Sequence, residues 1–184
     1  MIDENAFGLL VSYFGIEDDE YSLEPEQFLA RCETFRTLVR RLADERWPGD
    51  GVHKLDLGHA VYLELAEDDP LEEPVRWLRE ARSALQGAAI ESVCVLSHGG
   101  RWVNDGDDDR RPAPGWLQVS CSSEPLRRAL YADTAAQIDE DGAPDGWGPG
   151  VYIDIDALEA LGLKLKNAPT VLASAGATFI RISR

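Results

Sequence analysis

Few residues of this 184-residue chain have the type and spacing for chemistry. The best placed are His98 and Arg101, on either side of Gly99-Gly100. An imidazole serves as general acid or base near neutral pH, and a guanidinium grips an anion through its planar fork. Together they would suit an enzyme of unrecognised class acting on an anionic small substrate. The run Ser97-His98-Gly99-Gly100 also has the form of a glycine-rich oxyanion loop, whose backbone N–H groups stabilise developing negative charge. That chemistry requires a Gly-x-Ser-x-Gly nucleophile elbow. The nearest tract, Leu172-Ala173-Ser174-Ala175-Gly176, lacks the first glycine. His98 therefore reads first as a turn or core histidine and only second as a catalytic one.

Metal and nucleotide motifs are equally sparse. Asp105, Asp107 and Asp109 alternate in the tract Asn104-Asp105-Gly106-Asp107-Asp108-Asp109, as oxygen ligands of a calcium loop do. Arg110 stands where such a loop turns on glycine, however, and Trp116 stands where it needs glutamate. The three histidines and three cysteines show no paired zinc-ligand spacing. Gly146-Trp147-Gly148-Pro149-Gly150 carries no Walker or dinucleotide fingerprint. No metal and no cofactor are expected from these patterns.

Charge supplies the stronger signal. There are 34 Asp and Glu against 18 Lys and Arg, a formal charge of −16, and no basic residue precedes Arg31. A field of that sign repels phosphate backbones and anionic membranes, so nucleic acid and membrane partners are not expected. A basic protein would be drawn in. Trp102, Trp116 and Trp147 each border a loop rich in Asp and Gly, with Asp105, Asp107, Asp108, Asp109 and Asp145 beside them. Apolar anchors within a charged rim are the anatomy of a protein-binding surface. With no catalytic motif in view, the sequence reads as a non-catalytic cytosolic binding protein, of the kind an immunity-type inhibitor of a basic partner would be. Cys32, Cys94 and Cys121 sit among apolar neighbours and cannot all pair, which suits a reducing, cytoplasmic setting.

The elements that must position these residues follow from periodicity. Residues 7–16 are an apolar run rich in β-formers and read as a buried first strand, closed by an acidic turn at 17–20. From Glu24 to Arg46, Phe28, Leu29, Cys32, Phe35, Leu38, Val39 and Leu42 recur at spacings of three and four, the stripe of an amphipathic helix. Strands follow at 58–65 and 92–97, the latter with a bend or continuation through 98–103. A helix capped by Asp69 runs to Gln86, and another is capped by Ser122 or Ser123. A return strand at 116–121 would close a hairpin with 93–103. Val151–Ile155 is a strand, and Asp156 would cap a short helix after it. Closing strands are read at 163–166, 170–173 and 178–182. This strand–helix–Gly–strand–strand tail is too general to identify a family. Loops are expected at 104–115 and 139–150. The length and the lack of a linker make one domain of residues 1–184. Strands outnumber helices and hairpins interrupt the βαβ pattern. That predicts an α+β fold, with a mixed or mostly antiparallel sheet and helices packed mainly on one face.

Overall fold

The computed structural model describes residues 2–48, 52–66, 73–103, 123–138, 146–163, 170–174 and 176–183. The elements are β1 (Ile2–Tyr13), α1 (Ile16–Ser22), α2 (Pro25–Arg46), β2 (His53–Asp56), β3 (Ala60–Ala66) and α3 (Glu73–Gly87). They continue as β4 (Ser92–Val103), α4 (Glu124–Gln137), β5 (Gly150–Asp154), α5 (Ile155–Ala160), β6 (Thr170–Ser174) and β7 (Ala177–Ser183). One seven-stranded sheet runs in the order β2-β3-β1-β4-β5-β7-β6. β1 lies antiparallel to β3 and β4, β4 and β5 are parallel, and β5-β7-β6 is antiparallel again. The fold is thus α+β with a mixed, mostly antiparallel sheet. Among the described residues no helix is long and apolar enough to cross a membrane.

Side-chain alternation along the strands makes two cores. Phe7, Leu9, Val11 and Tyr13 of β1 join Val61, Leu63, Cys94 and Leu96 beneath α2, α3 and α5. Leu10 of β1 joins Tyr62, Val93, Val95, Tyr152 and Phe179 beneath α4 on the other face. Three helices therefore share one face and α4 covers the second. The α2 stripe is core in part: Phe35 and Val39 are fully buried, whereas Leu29 is 66% exposed.

Several local expectations change. The acidic run 17–20 is helical, because Gly15 enters α1 in the left-handed region (φ 72°) and Glu17, Asp18 and Asp19 complement the helix dipole. β2, which has no clear period in the sequence, forms by pairing with β3. β4 is one continuous strand of 12 residues. The cap of α5 is Asp154, whose side chain accepts the Asp156 N–H, rather than Asp156. Ser123 caps α4. The Asp69 cap, the strand read at 116–121 and, beyond Leu163, the strand read at 163–166 lie outside the described residues.

Helix α4 approaches the sheet where side chains are missing. A Cβ on Gly8 would lie 2.7 Å from Tyr62 Oη and 2.9 Å from Pro125 Cβ, and one on Gly99 would lie 2.9 Å from Glu124 Oε2. Gly8 thus meets a buried ring and a proline, while Gly99 meets the movable end of a glutamate. At the exit of α3, Ala89 holds φ 58° while its carbonyl accepts from the Arg31 guanidinium. An L-residue with a Cβ is strained there by about 1–2 kcal/mol.

Two expected outcomes follow for chemical denaturation. Gly8→Ala loses about 1–3 kcal/mol by overpacking, and Gly99→Ala loses less. Ala89→Gly gains about 0.5–1 kcal/mol, since relief of strain outweighs the added freedom of the unfolded chain. A gain for Gly8→Ala or a loss for Ala89→Gly would contradict these packing assignments.

Candidate functional site

Four segments converge at the carboxyl end of β1. The Tyr13 N–H donates to the His59 carbonyl at 2.9 Å, and the Phe14 N–H to the Glu91 carbonyl at 3.0 Å. The Gly15 N–H donates to Gln137 Oε1 at 3.2 Å. The β2–β3 connection, the α3–β4 connection and the last turn of α4 thereby hold the β1–α1 turn from three sides.

Beneath that turn lies a buried polar cluster. Ser12 is the polar residue of an otherwise apolar run, and β-strand alternation aims it at α4. Asp133 sits on the inward stripe of α4 with Leu126, Ala129 and Ala136. The Ser12 hydroxyl donates to Asp133 Oδ1, and Gln137 Nε2 reaches Ser12 Oγ at 3.1 Å and the Tyr13 carbonyl at 3.0 Å. Burial pushes the Asp133 carboxyl above the usual carboxylate range, against the opposing pull of the Ser12 and Gln137 donors and of His59. A buried carboxyl with a shifted proton affinity, held against a hydroxyl, is a group able to hold or release a proton at the β1–α1 turn.

The other end of α4 carries a second polar assembly. Ser123 Oγ and Tyr62 Oη both donate to Glu64 Oε2, at 2.7 and 2.9 Å. One turn on, Arg128 Nη1 donates to Asp154 at 2.8 Å and to Asp156, while its Nη2 donates to Glu124 at 2.8 Å. Burial alone would lower the Arg128 proton affinity; the three carboxylates outweigh it and raise it. Hydrogen bonds from Arg128 hold the Glu124 carboxyl below the usual range. Burial raises Asp154, with Arg128 opposing it. The guanidinium is fully engaged and leaves no free fork for an anion.

The residues singled out from the sequence fall elsewhere. His98 stands opposite Phe7 in the β1–β4 register, its ring 4.9 Å from that of Phe7 on the face covered by α2 and α3. It lies five strand positions from Ser12, about 16 Å, on the opposite face. Arg101 and Trp102 belong to β4, with their backbones opposite Glu4 and Asp3. Trp147 is buried, stacked on Tyr152 and edge-on to Phe179, so it packs into the core. Asp105, Asp107, Asp108, Asp109, Trp116 and Asp145 lie outside the described residues. Among the described residues no three His, Cys, Asp or Glu are placed to hold a metal ion. Sequence reasoning missed Ser12, Asp133, Gln137 and Arg128. A serine inside an apolar strand and an aspartate on an inward helical stripe were the available signals.

No family model matches the sequence, and none of the curated proteins matches it. Solved structures do. The guanylyl cyclase Cya2 superposes with a TM-score of 0.64 at 14% identity, over 99% of this chain and 92% of that one. The guanylate cyclase domain of RhGC from Catenaria anguillulae, solved in complex with GTP, superposes with a TM-score of 0.66 at 13% identity, over 100% of both chains. The adenylyl cyclase CyaB from P. aeruginosa gives a TM-score of 0.58 at 9% identity, over 98% and 95%. These neighbours correct the sequence reading of a non-catalytic, immunity-type inhibitor of a basic partner, because the scaffold matched over the whole chain is that of cyclase domains. This chain has the α+β fold of guanylyl and adenylyl cyclase domains.

Proposed function

We propose that the chain is a nucleotide-cyclase-like domain whose substrate is a purine nucleoside triphosphate. One observation carries the reading: the match spans the whole chain and includes a domain in complex with GTP and a converted-specificity cyclase core in complex with ATPαS. The reaction class would be internal phosphoryl transfer, closing a cyclic nucleotide and releasing pyrophosphate. Catalysis of phosphoryl transfer rests on positioning and on charge stabilisation.

What this chain contributes is mostly position. The β1–α1 turn is held by backbone hydrogen bonds and by Gln137, so its N–H groups and its polar floor are fixed before any ligand arrives. Nucleotide chemistry commonly employs magnesium held by one or two carboxylates together with the substrate phosphates. The described carboxylates near this turn do not fit a protein-held metal centre. Asp133 accepts from Ser12 and Gln137, and Asp19 accepts from Tyr13 and pairs with Arg31.

A cytoplasmic setting is supported by the thiols: Cys32 and Cys94 are free, and burial pushes Cys94 up to about 12. One neighbouring guanylyl cyclase domain is described as dimeric and another as monomeric, so the reading commits to no oligomeric state; the partner it names is a nucleotide.

The test is direct. Purified full-length protein is incubated with GTP or ATP and with magnesium or manganese; products are read by mass spectrometry and binding by calorimetry. A cyclic nucleotide, with pyrophosphate in equal amount, is the expected result. Binding is expected to tighten several-fold as salt rises from about 0.05 to about 0.3 M, because screening relieves repulsion between two anions. Absence of both binding and product with every nucleotide and metal pairing would sink the reading.

A further inference from the structure

We propose that His59 meets the phosphates of a nucleotide at the β1–α1 turn, where a protein-held ion finds no free carboxylate, so that a polyphosphate binds there without a divalent cation once the imidazole is charged. The proposal rests on the nucleotide reading for its ligand and deepens it by naming a cation that belongs to the chain.

His59 stands out by position, access and freedom. It lies at the tip of the β2–β3 hairpin, which the Leu57 N–H closes on the Ala60 carbonyl at 2.8 Å. Gly58 turns the tip at φ 85° and donates its N–H to Asp56 Oδ1 at 2.8 Å. Ala60 stands opposite Ser12 in the β1–β3 register, and the His59 carbonyl accepts the Tyr13 N–H at 2.9 Å. The tip is thereby fixed to the strand end from which the turn departs. Both His59 and Gly58 are exposed, and a Cβ on Gly58 would meet nothing within 4 Å, so the approach is open. The neighbouring arginines are committed: Arg31 to Asp19, Arg36 and Arg40 to Asp56, and Arg82 to Glu91. Among the described residues the His59 ring has neither a hydrogen bond nor an ion pair.

The carboxylates facing His59 are engaged elsewhere. From α4, buried Asp133 feels the imidazole but accepts from Ser12 and Gln137. From β2, Asp56 takes two arginines and the Gly58 N–H. Asp19 on α1 takes Tyr13 and Arg31, and Glu91, before β4, pairs with Arg82. An imidazole changes charge between about pH 5 and about pH 8. When it is charged, both ring nitrogens donate, and a charge-assisted bond to a phosphate oxygen is the stronger kind. The same charge repels a divalent ion. This corner of the molecule thus offers an ion no ligand, and a phosphate a donor.

The test uses the full chain with inorganic tripolyphosphate and, separately, GTP, in metal-free buffer. Calorimetry reads affinity and NMR follows the His59 ring. Tripolyphosphate is expected to bind about three- to tenfold more tightly at about pH 5.8 than at about pH 8, and to shift the His59 ring signals. His59→Gln is expected to lose that gain. His59→Lys is expected to bind tightly at both pH values, a rescue by charge that a structural role would not give. An equal gain in the parent and in His59→Gln overturns the proposal. So does bound tripolyphosphate that leaves the His59 ring signals unmoved, or failure of the parent to bind it at the lower pH. If GTP binds when magnesium is added while the His59 ring responds to neither ligand, this proposal fails and the nucleotide reading stands. If tripolyphosphate engages His59 and no nucleotide binds, the nucleotide reading fails and the phosphate contact stands.

Discussion

Helix α4 lies on the second face of the sheet because β1 and β4 offer it glycine at the crossing. Gly8 and Gly99 remove the atoms that Pro125 and Glu124 would strike, and Tyr62 fills the space beside them. With its first turn seated that low, the helix is tied at both ends by polar groups. Ser123, Glu64 and Arg128 act at its start, and Asp133 and Gln137 at its end. The apolar contacts between come from Leu126 and otherwise from Ala129, Ala132 and Ala136, small side chains with little area to bury. Fixed ends and close approach supply the definition that a larger apolar face would otherwise provide.

The net charge of −16 has a structural side that composition conceals. Many carboxylates hold arginines in place. Asp56 takes both Arg36 and Arg40, joining α2 to β2. Burial opposes ionisation of Asp56, yet the Gly58 N–H and the two guanidiniums keep its carboxyl below the usual range. Arg46 pairs with Glu73 across α2 and α3. Partly exposed pairs of this kind add little stability each. Their effect is to neutralise the cations locally, so the excess of acid dominates the surface field.

Legibility in the sequence followed burial. The apolar run of β1, the alternation of β3 and the stripe of α2 were readable, because buried apolar side chains recur along each of them. Strand β2 was not readable: its four residues are mostly half-exposed and depend on β3 for their conformation. Helix α1 was hidden because its residues 16–22 include none that is buried, leaving only capping and charge to mark it. The site suffered from the same bias. His98 and Arg101 attracted attention as chemically versatile side chains flanking a glycine pair, but Gly99 is there for the approach of Glu124. Ser12 and Asp133 are 121 positions apart and become partners only through the fold. Each interrupts an apolar pattern, and a buried polar residue carries no functional signal until its partner is known.

The cyclase fold and the electrostatics of this chain set a condition on any ligand. A nucleoside triphosphate is a polyanion, and the field it meets here is negative. Arg31, Arg36, Arg82 and Arg128 already face carboxylates, and Arg181 is held by the Gly146 and Pro149 carbonyls. Releasing Arg128 would leave Asp154, Asp156 and Glu124 facing one another, an arrangement strongly penalised where the groups are partly buried. Recruitment of these described arginines as a phosphate clamp is therefore expensive. Phosphates bound near the β1–α1 turn would have to be met by His59 and by cations that arrive with the nucleotide, since the Tyr13, Phe14 and Gly15 N–H groups are already donated within the chain. That inverts the common arrangement in which the protein's own arginines carry the charge, and it makes the rigidity of the turn, rather than its charge, the property on which such binding would depend.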